Sequence, residues 1–120
     1  MTKLTCHCKS VELEVNLPKK IENIVRCNCS ICKRKGAAMI PIGGNDLVVI
    51  KGKEILKCYQ FHSKAAKHFF CSRCGIYTHH NPRRDPRSFV INAGCIDNFN
   101  AEQYKDIKIL DGKNHPLDKK

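Results

Sequence analysis

The sequence predicts a small, mostly β domain built from short antiparallel hairpins. Three observations lead there. Apolar and polar residues alternate in several short runs, no stretch keeps a 3.6-residue apolar period over three turns, and Gly, Asn and Pro turn signals punctuate the chain. At 120 residues the chain suits one domain, and with 42% hydrophobic residues and no Trp its core is thin.

The elements follow in order. Val11, Leu13, Val15 and Leu17 alternate with Glu12, Glu14 and Asn16, a half-buried strand ended by Pro18. Residues 24–29 read as a second strand entering a cysteine turn. Residues 38–42, 47–51, 55–62 and 66–70 are further strands, some of them separated by the turn signals Gly43-Gly44-Asn45-Asp46 and Lys51-Gly52-Lys53. Residues 77–80 and 88–93 complete the set, with Asn81-Pro82 and Asp85-Pro86 bounding an exposed loop. Short helical turns are expected around residues 30–35 and 101–104. Residues 1–110 would form the domain, and residues 111–120, polar except for Leu117, a loosely held tail.

Composition excludes several classes. The richest apolar stretch, residues 37–42, is far too short to span a bilayer. The N-terminus reaches Cys6 and Cys8 with no apolar segment before them, so no secretory signal is expected and a reducing, cytoplasmic setting is. The formal charge is +11, which favours an anionic partner, and the excess survives even if seven thiolates form around two Zn²⁺ ions.

Nine cysteines in 120 residues stand out, and seven fall in three clusters. Cys6-His7-Cys8 is a C-x-C; Cys27-Asn28-Cys29-Ser30-Ile31-Cys32 is a C-x-C-x-x-C; Cys71-Ser72-Arg73-Cys74-Gly75 is a C-x-x-C-G. In extended chain a C-x-C sets two thiols on one face, and a C-x-x-C turn wraps two sulfurs around one ion, with the following Gly free to take φ > 0. Soft thiolates at these spacings favour Zn²⁺ over Mg²⁺ or Ca²⁺. A metal would also hold together a β domain with so few large apolar residues. Seven ligands divide as four, a closed structural site, and three, a site with one open position. Spacing leaves the grouping open: Cys29 and Cys32 with Cys71 and Cys74 would make an ordinary zinc ribbon, with Cys6, Cys8 and Cys27 left over.

The run CHC before an alternating strand, then CNCSICKRKG, then a strand ending in HFFCSRCG, resembles the glutathione-dependent formaldehyde-activating enzyme family, which includes centromere protein V-like proteins. The similarity runs from about Cys6 to Cys95, and INAGCID at 91–97 resembles the family's late strand and turn. The resemblance implies a fold of coiled β-hairpins, a β-tent, carrying two zinc ions per chain. Cys6, Cys8, Cys71 and Cys74 would form the structural site, and Cys27, Cys29 and Cys32 the catalytic one. Lys9 departs from the family, which commonly has Gly after the first C-x-C. The activity implied is carbon–sulfur lyase chemistry on adducts such as S-hydroxymethylglutathione, formed from glutathione and formaldehyde.

A Cys₃ zinc suits an incoming thiolate, whose pKa it would lower, better than it suits water activation. Lys33, Arg34 and Lys35 follow the third ligand and could bind glutathione's carboxylates; the plain alternative is a solvated charge run. His7 is expected on the face opposite its neighbours. His62, His68, His79 and His80 could each be a fourth ligand or a proton shuttle but read first as plain strand positions, and Cys58 and Cys95 as buried small hydrophobes. A rival function is a zinc-stabilised binding module whose Arg73, Arg83, Arg84 and Arg87, with Lys113, Lys119 and Lys120, contact nucleic acid. No C₂H₂ spacing or RNP-type aromatic pattern accompanies those residues. A protein–protein adaptor is a third reading. A thioredoxin-type redox role lacks its α/β pattern.

Overall fold

A computed structural model of the chain describes residues 1–100, 104 and 107–114. Among the described residues ten strands form two sheets, with one short α-helix beside them. The smaller sheet has the order β1-β2-β5, with β1 Thr2–Thr5, β2 Glu12–Val15 and β5 Leu47–Lys51. The larger runs β10-β3-β4-β9-β8-β7-β6, comprising β3 Val25–Cys27, β4 Met39–Ile42, β6 Leu56–Tyr59, β7 Lys67–Cys71, β8 Tyr77–Asn81, β9 Phe89–Asn92 and β10 Lys108–Leu110. The mostly-β expectation holds, and the alternating stretch at residues 11–17 is β2 with its flanks.

The central strands bury both faces. Period-2 alternation sends Ile40 and Ile91 into one core with Leu4, Val11, Leu13 and Val15 of the smaller sheet. Their neighbours Met39 and Val90 enter a second cluster with Val25, Cys29 and Cys32. One apolar layer therefore lies between the sheets, and a smaller one lies on the far face of the larger sheet. No helix among the described residues is long and apolar enough to cross a membrane.

Three features differ from expectation. Strand β1 has the short sequence TKLT, and only its pairing with β2, Leu4 against Leu13, makes it a strand. Strand β10 pairs in parallel with β3, Lys108 against Val25, at a separation that local pattern does not reveal. Residues 111–114 are held down rather than loose: Asn28 Nδ2 donates to Asp111 Oδ1 at 3.2 Å, and Lys113 N donates to Asn28 Oδ1 at 2.9 Å. The helical turn expected at 101–104 lies outside the described residues except for Tyr104, as do Leu117, Lys119 and Lys120.

The helix expected at 30–35 is α1, Ser30–Lys35. Cys29 is its N-cap, with Sγ accepting from Cys32 N, and Gly36 closes it at φ 63° with its amide bonded to the Cys32 carbonyl. Lys33, Arg34 and Lys35 occupy its last turn, where the helix dipole favours cations.

Candidate functional site

Seven thiols converge as four and three. The Sγ atoms of Cys6, Cys8, Cys71 and Cys74 all lie within 4.8 Å of one another, and so do those of Cys27, Cys29 and Cys32. The zinc-ribbon grouping is therefore not the one the fold makes. Cys6 and Cys71 belong to the layer between the sheets, whereas Cys29 and Cys32 belong to the layer on the far face.

The four-thiol cluster joins two turns. Cys6 and Cys8 sit in a turn after β1, not in extended chain: Lys9 N bonds the Cys6 carbonyl at 3.2 Å, and Lys9 takes φ 64°. A left-handed backbone is what glycine adopts freely, so the family's Gly at this point has a steric reason and Lys9 is strained there. Cys71 ends β7 and Cys74 follows it in a turn that Gly75 closes at φ 79°. Backbone amides point at the sulfurs: Val11 N reaches Cys6 Sγ at 3.3 Å and Arg73 N reaches Cys71 Sγ at 3.4 Å. Hydrogen bonding with Ser10 lowers the exposed Cys8 thiol to about 6, while burial raises Cys71 to about 11. Four thiols closed on one another, with amides turned towards sulfur, fit a four-coordinate soft metal ion.

The three-thiol cluster lies beside a cleft of about 200 Å³ lined by Cys27, Cys29 and Cys32 together with His68, His80, Arg83 and Arg84. Its other walls are largely apolar, including Val25, Met39, Phe61, Val90 and Leu110. Hydrogen bonds with Cys29 and Cys32 hold Cys27 low, at about 2, while those with Cys27 and Cys29 push Cys32 up. Three thiols with no fourth protein ligand among the described residues fit a metal ion with one open position. Gly112 closes one side: a Cβ there would overlap Cys27 Sγ and lie 2.9 Å from Cys29 Cβ.

Behind the cleft lies a polar cluster whose members the sequence suggests only one at a time, not as a group. Lys35 Nζ donates to His68 Nδ1 at 2.8 Å and sits 3.7 Å from the centre of the Tyr77 ring. Burial lowers Lys35 to about 8, against the pull of the neighbouring thiolates, so it is an ammonium at pH 7. Burial likewise lowers His68 to about 4 and His80 to about 2, leaving both imidazoles neutral. The register pairs His68 with His80 and His80 with Val90, which set all three on the cleft face. Tallying titratable residues by paired strand position would have been the signal.

The remaining candidates disperse. Lys33 and Arg34 are exposed, with Arg34 Nη1 bonded to the Ser30 carbonyl, and Lys35 turns inward. His7 is exposed, as expected. Cys58 is exposed on the edge strand β6, contrary to the expectation of burial, because that strand has a neighbour on one side only. Cys95 is buried as expected, in the layer that holds Cys6 and Cys71 rather than with the three-thiol cluster. The arginines do not share one edge: Arg73 bonds Ser10 by the four-thiol cluster, Arg83 and Arg84 line the cleft, and Arg87, in the same β8–β9 loop but outside the cleft lining, bonds Asp85 through its backbone amide.

The comparisons with known proteins bear on the fold and the family. A crystal structure of a Rhodobacter sphaeroides protein is similar at 40% identity and TM-score 0.85, covering 90% of this chain and 99% of its own. The profile of the family described as glutathione-dependent formaldehyde-activating enzyme matches residues 1–109. The chain belongs to that family.

Proposed function

We propose that this protein is a zinc-dependent carbon–sulfur lyase of the reducing cytoplasm that makes or breaks thiol–aldehyde adducts such as S-hydroxymethylglutathione. The observation that carries the reading is the three-thiol cluster set beside a cleft, while the other four thiols close on themselves. Cys6, Cys8, Cys71 and Cys74 would hold a structural Zn²⁺, and Cys27, Cys29 and Cys32 a catalytic one. When bound, the second ion supplies an open coordination position that favours the thiolate over the thiol.

The chain's own residues supply the rest. The apolar walls exclude water from the carbon that changes partner, which strengthens the polar contacts inside. Glutathione carries two carboxylates, and cations surround the site to meet them: Arg83 and Arg84 in the cleft lining, with Lys33 and Arg34 exposed on α1. Lys35, half-buried against His68 and Tyr77, acts on the cleft through His68 rather than by touching the substrate.

The test is zinc content with turnover. Protein purified without chelator should carry close to two zinc ions per chain and break down S-hydroxymethylglutathione to glutathione and formaldehyde. Cys29→Ala should keep one ion and lose turnover. Persistent turnover in a folded Cys29→Ala variant, or a single ion that added zinc does not raise, would sink the reading.

A further inference from the structure

We propose that His68 and His80 are paired hydrogen-bond donors to the oxygen of the thiol–aldehyde adduct, a role that rests on the function proposed above. The two rings come from directly opposed positions of β7 and β8 and stack with centroids 5.0 Å apart at 29°. Both line the cleft beside Cys27, Cys29 and Cys32.

Each ring has its Nδ1 already engaged. Lys35 Nζ lies 2.8 Å from His68 Nδ1, and an ammonium can only donate, so Nδ1 carries the lone pair and Nε2 the proton. Tyr77 Oη lies 2.6 Å from His80 Nδ1, much nearer than the Val90 carbonyl at 3.5 Å or Met39 Sδ at 3.6 Å. Its hydroxyl proton therefore goes to Nδ1, and His80 too is protonated at Nε2. Lys35 and Tyr77 are not among the residues lining the cleft, so the two Nδ1 edges look away from it and the Nε2–H edges are left to face it. Phe61 stacks on His68 with centroids 5.8 Å apart and clamps the pair from the other side.

Such donors suit this reaction. In the forward direction the thiol sulfur bonds the carbonyl carbon, the carbonyl π pair moves onto oxygen, and the thiol's proton ends there. In reverse the C–S bond breaks with its pair returned to sulfur, the hydroxyl proton ends on that sulfur, and the oxygen's pair reforms the carbonyl. Oxygen gains negative charge on the way in both directions, and fixed N–H donors aimed at it stabilise that charge without reorganising. The imidazoles gain and lose no proton overall.

His68→Phe and His80→Phe keep a stacking ring and remove the donor. Each should lower kcat for S-hydroxymethylglutathione breakdown about 100-fold. Binding of glutathione, which lacks the hydroxymethyl oxygen, should stay within about twofold. His→Gln, which restores an N–H, should recover about tenfold of the loss. Phe variants that retain kcat, or that lose glutathione binding in parallel with it, overturn the assignment. A measurement on the unaltered protein stands beside these: long-range ¹H–¹⁵N spectra should show Nε2 protonated in both rings, and an Nδ1–H tautomer in either overturns it. Unaltered protein that turns over no thiol–aldehyde adduct refutes the function and the donor role together. Active protein matched by its Phe variants refutes the donor role alone.

Discussion

Gly112→Ala is a methyl group placed where the second thiol cluster leaves no room. The added carbon would overlap Cys27 Sγ and come within 2.9 Å of Cys29 Cβ. Moving the backbone instead would break its tethers: Arg83 Nη2 to the Gly112 carbonyl at 3.3 Å, Asn28 N to the Leu110 carbonyl at 3.1 Å, and the two Asn28 side-chain bonds. Overpacking of this kind costs about 1–3 kcal/mol. Charged to the cluster, that is roughly 5- to 150-fold weaker metal binding at Cys27, Cys29 and Cys32. The four-thiol cluster, built from other turns, should be unchanged. Competition against a chromophoric chelator separates the two proposed ions: the one at the four-thiol cluster should titrate as in the unaltered protein and the one at the three-thiol cluster earlier. Equal affinities for the second ion would refute the packing of Gly112 on the thiols.

Two further outcomes are expected. Lys9→Gly should stabilise the protein by about 0.5–1 kcal/mol in urea unfolding, because relief of a left-handed Lys (about 1–2 kcal/mol) exceeds the entropy cost of Gly. The exposed Lys9–Asp97 pair at 4.0 Å offsets little of this, and a variant less stable than the parent would contradict it. His79, buried and stacked 4.7 Å from Phe69, is lowered by burial to about 4 from 6.5. The folded state thus favours the neutral ring: its share of stability is complete above pH 6.5 and is lost as pH falls towards 4. Between pH 7 and pH 5 that loss is about 2 kcal/mol, so His79→Phe should lose about that much less stability than the parent over the same interval. Identical pH dependence in both proteins would show that the ring is not buried neutral.

Ligand chemistry reads easily from sequence because it is local. C-x-C and C-x-x-C spacings put sulfurs within reach of one ion whatever the fold, and Gly36 and Gly75 sit where their turns need a left-handed residue. The partnership of clusters is not local. Cys6 and Cys8 meet Cys71 and Cys74 because two turns 63 residues apart come together, as the Cys8–Cys71 contact of 3.7 Å records. Sheet order decides the rest. Cys58 has Leu56 and Tyr59 beside it and still faces solvent, because β6 is the outermost strand. Lys35 looked like one member of a solvated run, yet a six-residue helix carries only part of its circumference outward, and the third cation of KRK turns back onto His68 and Tyr77.

The parallel pairing of β10 with β3 has a consequence for the order of assembly. The four-thiol cluster is complete in sequence once Cys74 has been synthesised, and every strand of both sheets except β10 precedes residue 93. The cradle around Cys27 needs Leu110, Asp111 and Gly112, and Asp111 bonds Asn28 across a separation of 83 residues, so closing it costs loop entropy that the local cysteine turns do not. The four cysteines of the closed cluster are therefore all present in the chain before the residues that complete the cradle of the open one. Until β10 docks, Cys27 has its partners Cys29 and Cys32 but not Gly112 at its side, and its thiol is open to solvent there.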